Sequence, residues 1–516
     1  MTSPLQITTE FQAACDQIEA GESVFVTGRA GTGKSTLLTH FRETTQKNVA
    51  VLAPTGVAAI NVRGETIHAF FGFKPDITVD TVKKLSPAKR AAYQKIDTII
   101  IDEVSMVRAD LLDAVARFLA LNGKTPDRPF GGTQMVLFGD LYQLPPVVSR
   151  TEQIIFQEHY DSPYFFSAHA FESLDWTSVE LTHVFRQTDD RFLDILNRVR
   201  NETVLPEDLA ALNARVQEKI DLDHLTDYVF LTTTNEQVRV INQERLDRLP
   251  ERVQTFEAVV DGNFGKSAFP TETSLSLKVG ARVMLMNNDS AGRWVNGTMG
   301  QIKKIHSKDD LLVVTLPDGR EEEVTPHTWE MFHFEWNRDS GRLHPSIIGT
   351  FTQFPVRLAW AITIHKSQGL TFDRAVIDLA RGTFSHGQLY VALSRLRTLD
   401  GLILTRPVKK AHILLDHRIQ QFLTGRHYQA SEIRQPIDQK IAAIRTAIQN
   451  GWDIEITYLK TADERSRRRV TPIKVGPEVY QKKSFIGLTA WCHLRKDERM
   501  FRIDRILEMQ EMRSEK

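Results

Sequence analysis

Cysteine is nearly missing from this chain: Cys15 and Cys492 are the only two in 516 residues. They lie far apart in sequence and read as free thiols of a reducing compartment rather than as a disulfide framework. No His/Cys cluster has zinc-ligand spacing, so no zinc site is expected. No apolar run approaches the roughly 18 residues of a membrane span. The first residues, MTSPLQITTE, lack the basic and apolar regions of a secretory signal. Neither sign of charge is in excess, with 65 Lys and Arg against 65 Asp and Glu. That counts against coating nucleic acid through an overall field, but leaves room for a local basic groove. There is no internal repeat and no low-complexity tract. A soluble cytoplasmic protein of about three or four domains is the expectation.

What is present is chemistry for phosphate. GRAGTGKS at 28–35 follows the apolar run Ser23–Thr27 and precedes a helical stretch starting with Leu37 and Leu38. Strand, glycine-rich loop and helix are the context of a phosphate-binding loop. Gly28, Gly31 and Gly33 let backbone N–H groups close around phosphates, and the helix N-terminus adds favourable partial charge. Thr32 and Thr36 flank the key side chains. Lys34 would reach the β- and γ-phosphates, and the Ser35 hydroxyl would sit on Mg²⁺.

From about 23 to 140, buried strands (SVFVTG, NVAVLAP, IDTIIID, QMVLFGD) alternate with helical stretches. This predicts a doubly wound parallel sheet, with ligands at the carboxyl ends of its strands. A second alternating block is expected over 177–264, resuming at 346–408 with SIIGTF, RAVIDLA and GLILTR. Between them, 265–345 reads as a small inserted β-barrel with a hairpin turn at Asp318-Gly319. Residues 409–430 read as a linker. The tail, 431–516, reads as one helix, Asp438–Gln449, with several short strands.

Other segments suit the same chemistry. IIIDEVSM ends a buried strand on Asp102-Glu103, a costly pair unless partnered. Mg²⁺ with ATP supplies the partner: Asp102 would hold the ion, and Glu103 would be the base for the attacking water. In FGDLYQLPPV, another strand ends on Asp140, and Gln143 could touch the γ-phosphate. Arg186 in VFRQ and Arg395 in YVALSRLR, both assigned to the second block, are candidates to stabilise charge on the γ-phosphoryl oxygens from across a cleft. An amphipathic helix is expected before His365-Lys366-Ser367-Gln368-Gly369. His365, Lys366 and Ser367 are assigned to strand phosphates, and Gln368 and Gly369 to the nucleotide. Pro54, Thr55, Gly56 and Thr66 would grip a nucleic-acid strand, and His68 or Phe70 could stack on a base, although Phe70 and Phe71 also suit a core.

Taken in order, TGRAGTGKS, APTGVAAINVRGETIHAFFG, IDEVSM, GDLYQLPPV, FRQ, LAWAITIHKSQGLTFD and GQLYVALSR resemble the Pif-type (petite integration frequency) DNA helicases of superfamily 1, type B. The resemblance covers about residues 5–408. It implies two RecA-like motor domains, 1–176 and 177–264 with 346–408, with ATP between them and single-stranded DNA across their top. It also implies an SH3-like barrel inserted in the second, a small wedge at about 73–95 that splits the duplex, and 5′-to-3′ movement. Gln12 falls where the family has a glutamine that reads adenine.

The tail resembles a WYL module, a small barrel common in bacterial regulators. The match rests on Tyr458, Arg468, Pro472, Leu488, Arg495, Arg499, Phe501, Arg502 and Arg505. Ile486-Gly487-Leu488 stands where that module has Trp-Tyr-Leu. Residues 432–516 hold 18 Lys and Arg against 13 Asp and Glu, a surface that suits nucleic acid. The expected function is that of a bacterial, monomeric, ATP- and Mg²⁺-dependent 5′→3′ helicase acting on single-stranded and 5′-tailed or forked DNA. Two alternatives stay open: an ATPase switch with a ligand-sensing tail, and a RecD-like subunit of a helicase–nuclease complex.

Overall fold

The structure is a computed structural model. It describes residues 6–512 except 75–76, 127, 149–151, 153–155, 157, 218–224, 226, 338–341, 380–381, 384, 460–464 and 481–482. The chain divides into two units, one of residues 1–199 and 204–414, the other of 200–203 and 415–516.

The first unit holds two parallel sheets. One comprises β1 (Ser23–Gly28), β2 (Val49–Ala53), β3 (Glu65–Thr66), β4 (Thr98–Ile101), β5 (Gln134–Phe138) and β6 (Trp176–Leu181), in the order β3-β2-β4-β5-β1-β6. Every pairing is parallel. β1, β4 and β5 are buried along their whole length. Burial on both faces explains why they read as continuous apolar runs rather than as alternation. Helices α1 (Thr9–Glu19) and α2 (Lys34–Thr44) bury Phe11, Ile18, Leu37, Leu38 and Phe41 with Val24, Val26 and Val136 of the sheet.

β6 corrects the expected boundary. The sequence reading puts Trp176–Leu181 almost wholly in the second motor block, yet it pairs in parallel with β1 along six residues. Alternation identifies a strand but not the sheet it joins.

The second sheet runs Ala361–Thr363, Val229–Thr232, Ala375–Asp378, Leu402–Leu404, again all parallel. Its first strand overturns the amphipathic helix expected before His365. Ala361 and Ile362 are buried in the sheet, and the Asn242 side chain clamps Ala361: its Nδ2 donates to Ala361 O at 2.9 Å and its Oδ1 accepts from Ala361 N at 2.8 Å. Those bonds satisfy backbone groups at a sheet edge, so a short strand suffices where a helix seemed required.

The inserted region is wider than 265–345. Its antiparallel sheet runs Glu321–Val324, Leu311–Thr315, Met299–His306, Arg282–Leu285, Val356–Leu358. Beside it, a long hairpin of His327–Asn337 and Arg342–Gln353 pairs with Val259–Gly262. The SIIGTF run therefore belongs to the insertion and not to the second motor sheet. The Asp318-Gly319 turn is present, with Gly319 at φ +84°.

In the second unit, helices His417–Arg434 and Ile437–Asn450 accompany an antiparallel sheet of Asp497–Arg502, Lys483–Cys492, Arg465–Tyr480, Asp453–Leu459 and Ile506–Met512. The expected linker is thus largely helical and belongs to this unit. Ser431 Oγ donates to the carbonyls of Ile506 and Leu507, at 3.0 and 2.7 Å, which ties the first helix to the last strand.

Candidate nucleotide and nucleic-acid site

The phosphate loop lies between β1 and α2, at the carboxyl end of its strand. Gly31 has φ +82°, and a Cβ there would lie 2.5 Å from the Cβ of Arg186. Only glycine fits, because the chain after β6 passes directly over the loop. Phe185 N–H donates to Gly31 O at 2.9 Å in the same crossing. Lys34 Nζ donates to the carbonyls of Gly28 (2.8 Å) and Arg29 (3.0 Å), and Thr32 Oγ1 donates to Arg29 O at 2.9 Å.

A cavity of about 680 Å³ opens over the loop. Gly31, Thr32, Gly33, Lys34, Ser35 and Thr36 form its floor, and Glu103 and Gln143 enter from the ends of β4 and β5. Arg186, Gly369 and Arg395 close it from the far side. Groups expected to act together in catalysis therefore meet in one space, drawn from both sheets. A volume of this size suits a nucleotide.

Electrostatics at the site depart from the ordinary. Burial and the neighbouring Glu103 raise the Asp102 carboxyl to about 7, partly offset by its acceptance of the Glu103 N–H (2.9 Å) and by Lys34. Burial also raises Glu103, against the pull of Lys34 and Arg395. Glu103 sits at φ +50°, a left-handed conformation uncommon for a non-glycine residue and common at functional sites. Arg395 is 1% exposed, and burial with Arg186 close by lowers it to about 9. Its guanidinium donates to Val391 O (3.0 Å) and Ser394 Oγ (2.8 Å), with no carboxylate among these bonds. Burial lowers Arg186 as well; its Nη1 donates to Ser394 O at 3.3 Å. Glu103, Arg186 and Arg395 line the cavity, and Asp102 is buried next to Glu103 without lining it; charged groups shifted mainly by burial are a mark of a reactive cleft.

Gln12 is not among the residues of this cavity. It is exposed on α1 and its Nε2 donates to Asp16 Oδ1 at 2.8 Å. The glutamine that lines the cavity is Gln6, with Thr8 and Phe11 beside it. Helical periodicity turns position 12 outward while position 11 packs inward. Phe185 also lines the cavity, a residue the sequence reading misses; at 46% exposure it is a large aromatic not claimed by any core. Its only signal in the sequence is its place next to Arg186.

The nucleic-acid candidates cluster at the carboxyl ends of β2, β3 and the strand Ala361–Thr363. Thr55 and Thr66 cap helices α3 (Gly56–Asn61) and α4 (Ile67–Phe71), their hydroxyls accepting from Ala58 N and Ala69 N. Pro54 and His68 are half-buried, and burial lowers the His68 and His365 imidazoles. Lys366 is exposed. Gly56 is buried, and a Cβ there would lie 2.3 Å from the Cβ of Ala268 in the inserted region.

Two assignments fail here. Phe70 is 2% exposed and packs edge-on to Phe71 at 4.8 Å and to Tyr93 at 5.6 Å, so it is core and cannot stack on a base. Ser367 is fully buried, with its hydroxyl donating to Ile364 O at 2.7 Å, so it holds the turn and does not meet solvent. Gln368 is half-buried and lies next to the cavity residue Gly369.

Known proteins resemble this chain. A family model described as PIF1-like helicase matches residues 6–205, and one described as WYL domain matches 439–511. The ATP-dependent DNA helicase Pif1 of Bdellovibrio bacteriovorus is 34% identical over 408 residues, covering 77% of this chain and 87% of that one. Against the Xenopus laevis and human helicases named PIF1, the match covers 62% and 60% of their length. Bacteroides sp Pif1 in complex with ADP-AlF4 is similar at TM-score 0.75 and 38% identity, over 81% of this chain and 96% of that one. Bacteroides Pif1 bound to single-stranded DNA is similar at 0.59 and 39%, over 81% and 96%. The chain belongs to the PIF1-like helicase family: it is an ATP-dependent DNA helicase of RecA-like α/β fold that carries a WYL domain toward its C-terminal end.

Proposed function

We propose that this helicase hydrolyses ATP with Mg²⁺ in the cavity and uses each cycle to step 5′ to 3′ along single-stranded DNA, unwinding 5′-tailed or forked duplexes. The observation that carries the reading is the convergence of Lys34, Glu103 and Gln143 from the first sheet with Arg186 and Arg395 on one cavity. Lys34 and the loop amides hold the phosphates. Glu103 takes the proton of the attacking water, and its raised basicity suits that work. Arg186 and Arg395 meet the charge that develops on the γ-phosphoryl oxygens, and Gln143 senses its loss. Gln6 and Phe185 are placed to meet the base of the nucleotide.

Asp102 and Ser35 offer hard oxygen donors, the class that suits Mg²⁺. A buried carboxyl with a raised pKa is one that a cation would relieve. The ion would supply neutralisation of the phosphate charge when bound.

Single-stranded DNA would run over Pro54, Thr55, Thr66, His68, His365 and Lys366, whereas Gly56, buried against Ala268, would not meet it. A Bacteroides relative solved bound to single-stranded DNA supports such a strand as the partner. The chain would work as a monomer in the bacterial cytoplasm, and its tail would add a weak nucleic-acid grip. Among the described residues, no helix is long and apolar enough to cross a membrane. Strand displacement with ATP on 5′-tailed, 3′-tailed and blunt duplexes tests the proposal. Unwinding that needs the 5′ tail is expected; efficient unwinding from a 3′ tail alone would refute the polarity.

A further inference from the structure

Tyr390 and Asp140, linked by hydrogen bonds beside the phosphate loop, have no part in the roles above. Tyr390 is 4% exposed and lies on the helix Gln388–Leu393, which belongs with the second sheet. Its hydroxyl accepts from Ala30 N–H at 3.2 Å and donates to Asp140 Oδ2 at 3.4 Å. The same Oδ2 accepts from Gln143 Nε2 at 3.3 Å, and Oδ1 accepts from Tyr142 N–H at 3.2 Å. Asp140 is fully buried, so bulk water does not substitute for these partners.

The helix is seated on the turn after β5. Gly387 begins it at φ +70°, and a Cβ there would lie 2.4 Å from the carbonyl oxygens of both Tyr142 and Gln143. Arg395 follows two residues after the helix ends. One short element therefore touches the phosphate loop, touches the turn that carries Gln143, and delivers Arg395 to the cavity.

We propose that Tyr390 is a positioning residue for ATP hydrolysis, holding the phosphate loop and Gln143 in one register with the element that carries Arg395. It acts through Ala30 and Asp140 and does not touch the nucleotide. A phenol can accept and donate at once, and both functions are used here. Phenylalanine would keep the ring's packing but remove the acceptor of the buried Ala30 amide and one of the donors to Asp140 Oδ2.

Tyr390→Phe in the full chain tests this. With saturating single-stranded DNA, kcat for ATP should fall about tenfold while KM stays within about twofold, because the binding groups remain in place. The melting temperature should move by only a few degrees. A cycle with Gln143→Ala then separates positioning from packing. Since Tyr390 acts on Gln143 through Asp140, the double variant should lose little more than the worse single variant. Unchanged kcat with a lower melting temperature, or strictly additive losses, would overturn the proposal. If Tyr390→Phe does not fold, Asp140→Asn serves: it keeps the shape and should give the same fall in kcat at constant KM, and normal turnover would overturn the proposal equally. The inference rests on the ATP-site reading. Normal turnover in Lys34→Ala would sink that reading, whereas normal turnover in Tyr390→Phe beside a dead Lys34→Ala sinks this inference alone.

Discussion

Charge is handled in opposite ways in the cleft and in the tail. In the cleft, Arg395 is fully buried against main-chain carbonyls and a serine hydroxyl, and Asp102 and Glu103 stand side by side at a strand end. In the tail, arginines face carboxylates across or along the sheet surface. Arg469 meets Asp453 at 2.6 Å, Arg502 meets Asp504 at 2.5 Å, Arg467 pairs with Glu455, and Arg499 lies 3.7 Å from Asp497. Exposed pairs of this kind contribute roughly 0–1 kcal/mol each. Several of the tail's arginines are therefore matched by its own acids, whereas Arg395 in the cleft donates to main-chain carbonyls and a serine hydroxyl. Burial alone is not the sign: Lys440 in the tail is 1% exposed, yet Ser431 Oγ and Ile506 O hold its ammonium at 2.7 and 2.8 Å, a structural tie.

The largest effect should come from the cleft's deepest cation. Arg395→Ala is expected to lower ATP turnover on the order of 10³-fold or more while ATP affinity changes far less, because charge on the phosphoryl oxygens grows only in the transition state. Steady-state kinetics with a nucleotide-binding titration checks it. Equal losses in turnover and affinity would make Arg395 a structural residue like Lys440 and break the contrast. Glu103→Gln should follow, with hydrolysis down on the order of 10²–10⁴-fold and ATP and DNA binding kept. Loss of ATP binding with turnover preserved would remove Glu103 from its role.

A smaller effect concerns pH. With Asp102 raised to about 7 by burial and Glu103, the carboxyl is protonated below that value, and a cation must displace the proton. Apparent Mg²⁺ affinity should fall as pH drops below about 7, by up to roughly tenfold per unit. The measurement is a Mg²⁺ titration of ATP turnover at several pH values. A flat response would show that Asp102 does not meet the ion. The smallest effect should be in the tail. Truncation after Leu414 removes residues 415–516, the two helices and the antiparallel sheet of the second unit. For every DNA phosphate that the tail neutralises, its removal should flatten the slope of log K against log salt for single-strand binding by about 0.7. The internal pairing argues for one or two such phosphates rather than more. Identical slopes would leave the tail without a grip on DNA.

Much of the cleft is legible in the sequence because its chemistry is local. GRAGTGKS, IDEVSM and GDLYQLPPV each place a loop at a strand end, and burial of β1, β4 and β5 writes them as plain apolar runs. What the sequence hides is held in tertiary structure. No pattern at 358–364 says that Asn242 will satisfy an edge strand, so a helix is the natural expectation there. Trp176–Leu181 alternates like any strand and does not announce that it pairs with β1. Phe70 could be a stacking ring or core by sequence, and only its neighbours Phe71 and Tyr93 decide for core. Tyr390 carries no signal of its own because its partners, Ala30 and Asp140, stand 360 and 250 residues away.

The central claim is that the charges of the cleft, and not those of the tail, drive unwinding. Lys34→Ala tests it most directly, because the side chain is assigned to phosphate, lines the cavity and lies outside the apolar core. Strand displacement should be measured on a 5′-tailed duplex with ATP, for a variant whose melting temperature matches that of the unaltered chain. The account predicts turnover and unwinding reduced on the order of 10²-fold or more. A folded Lys34→Ala chain that unwinds at the unaltered rate would contradict it.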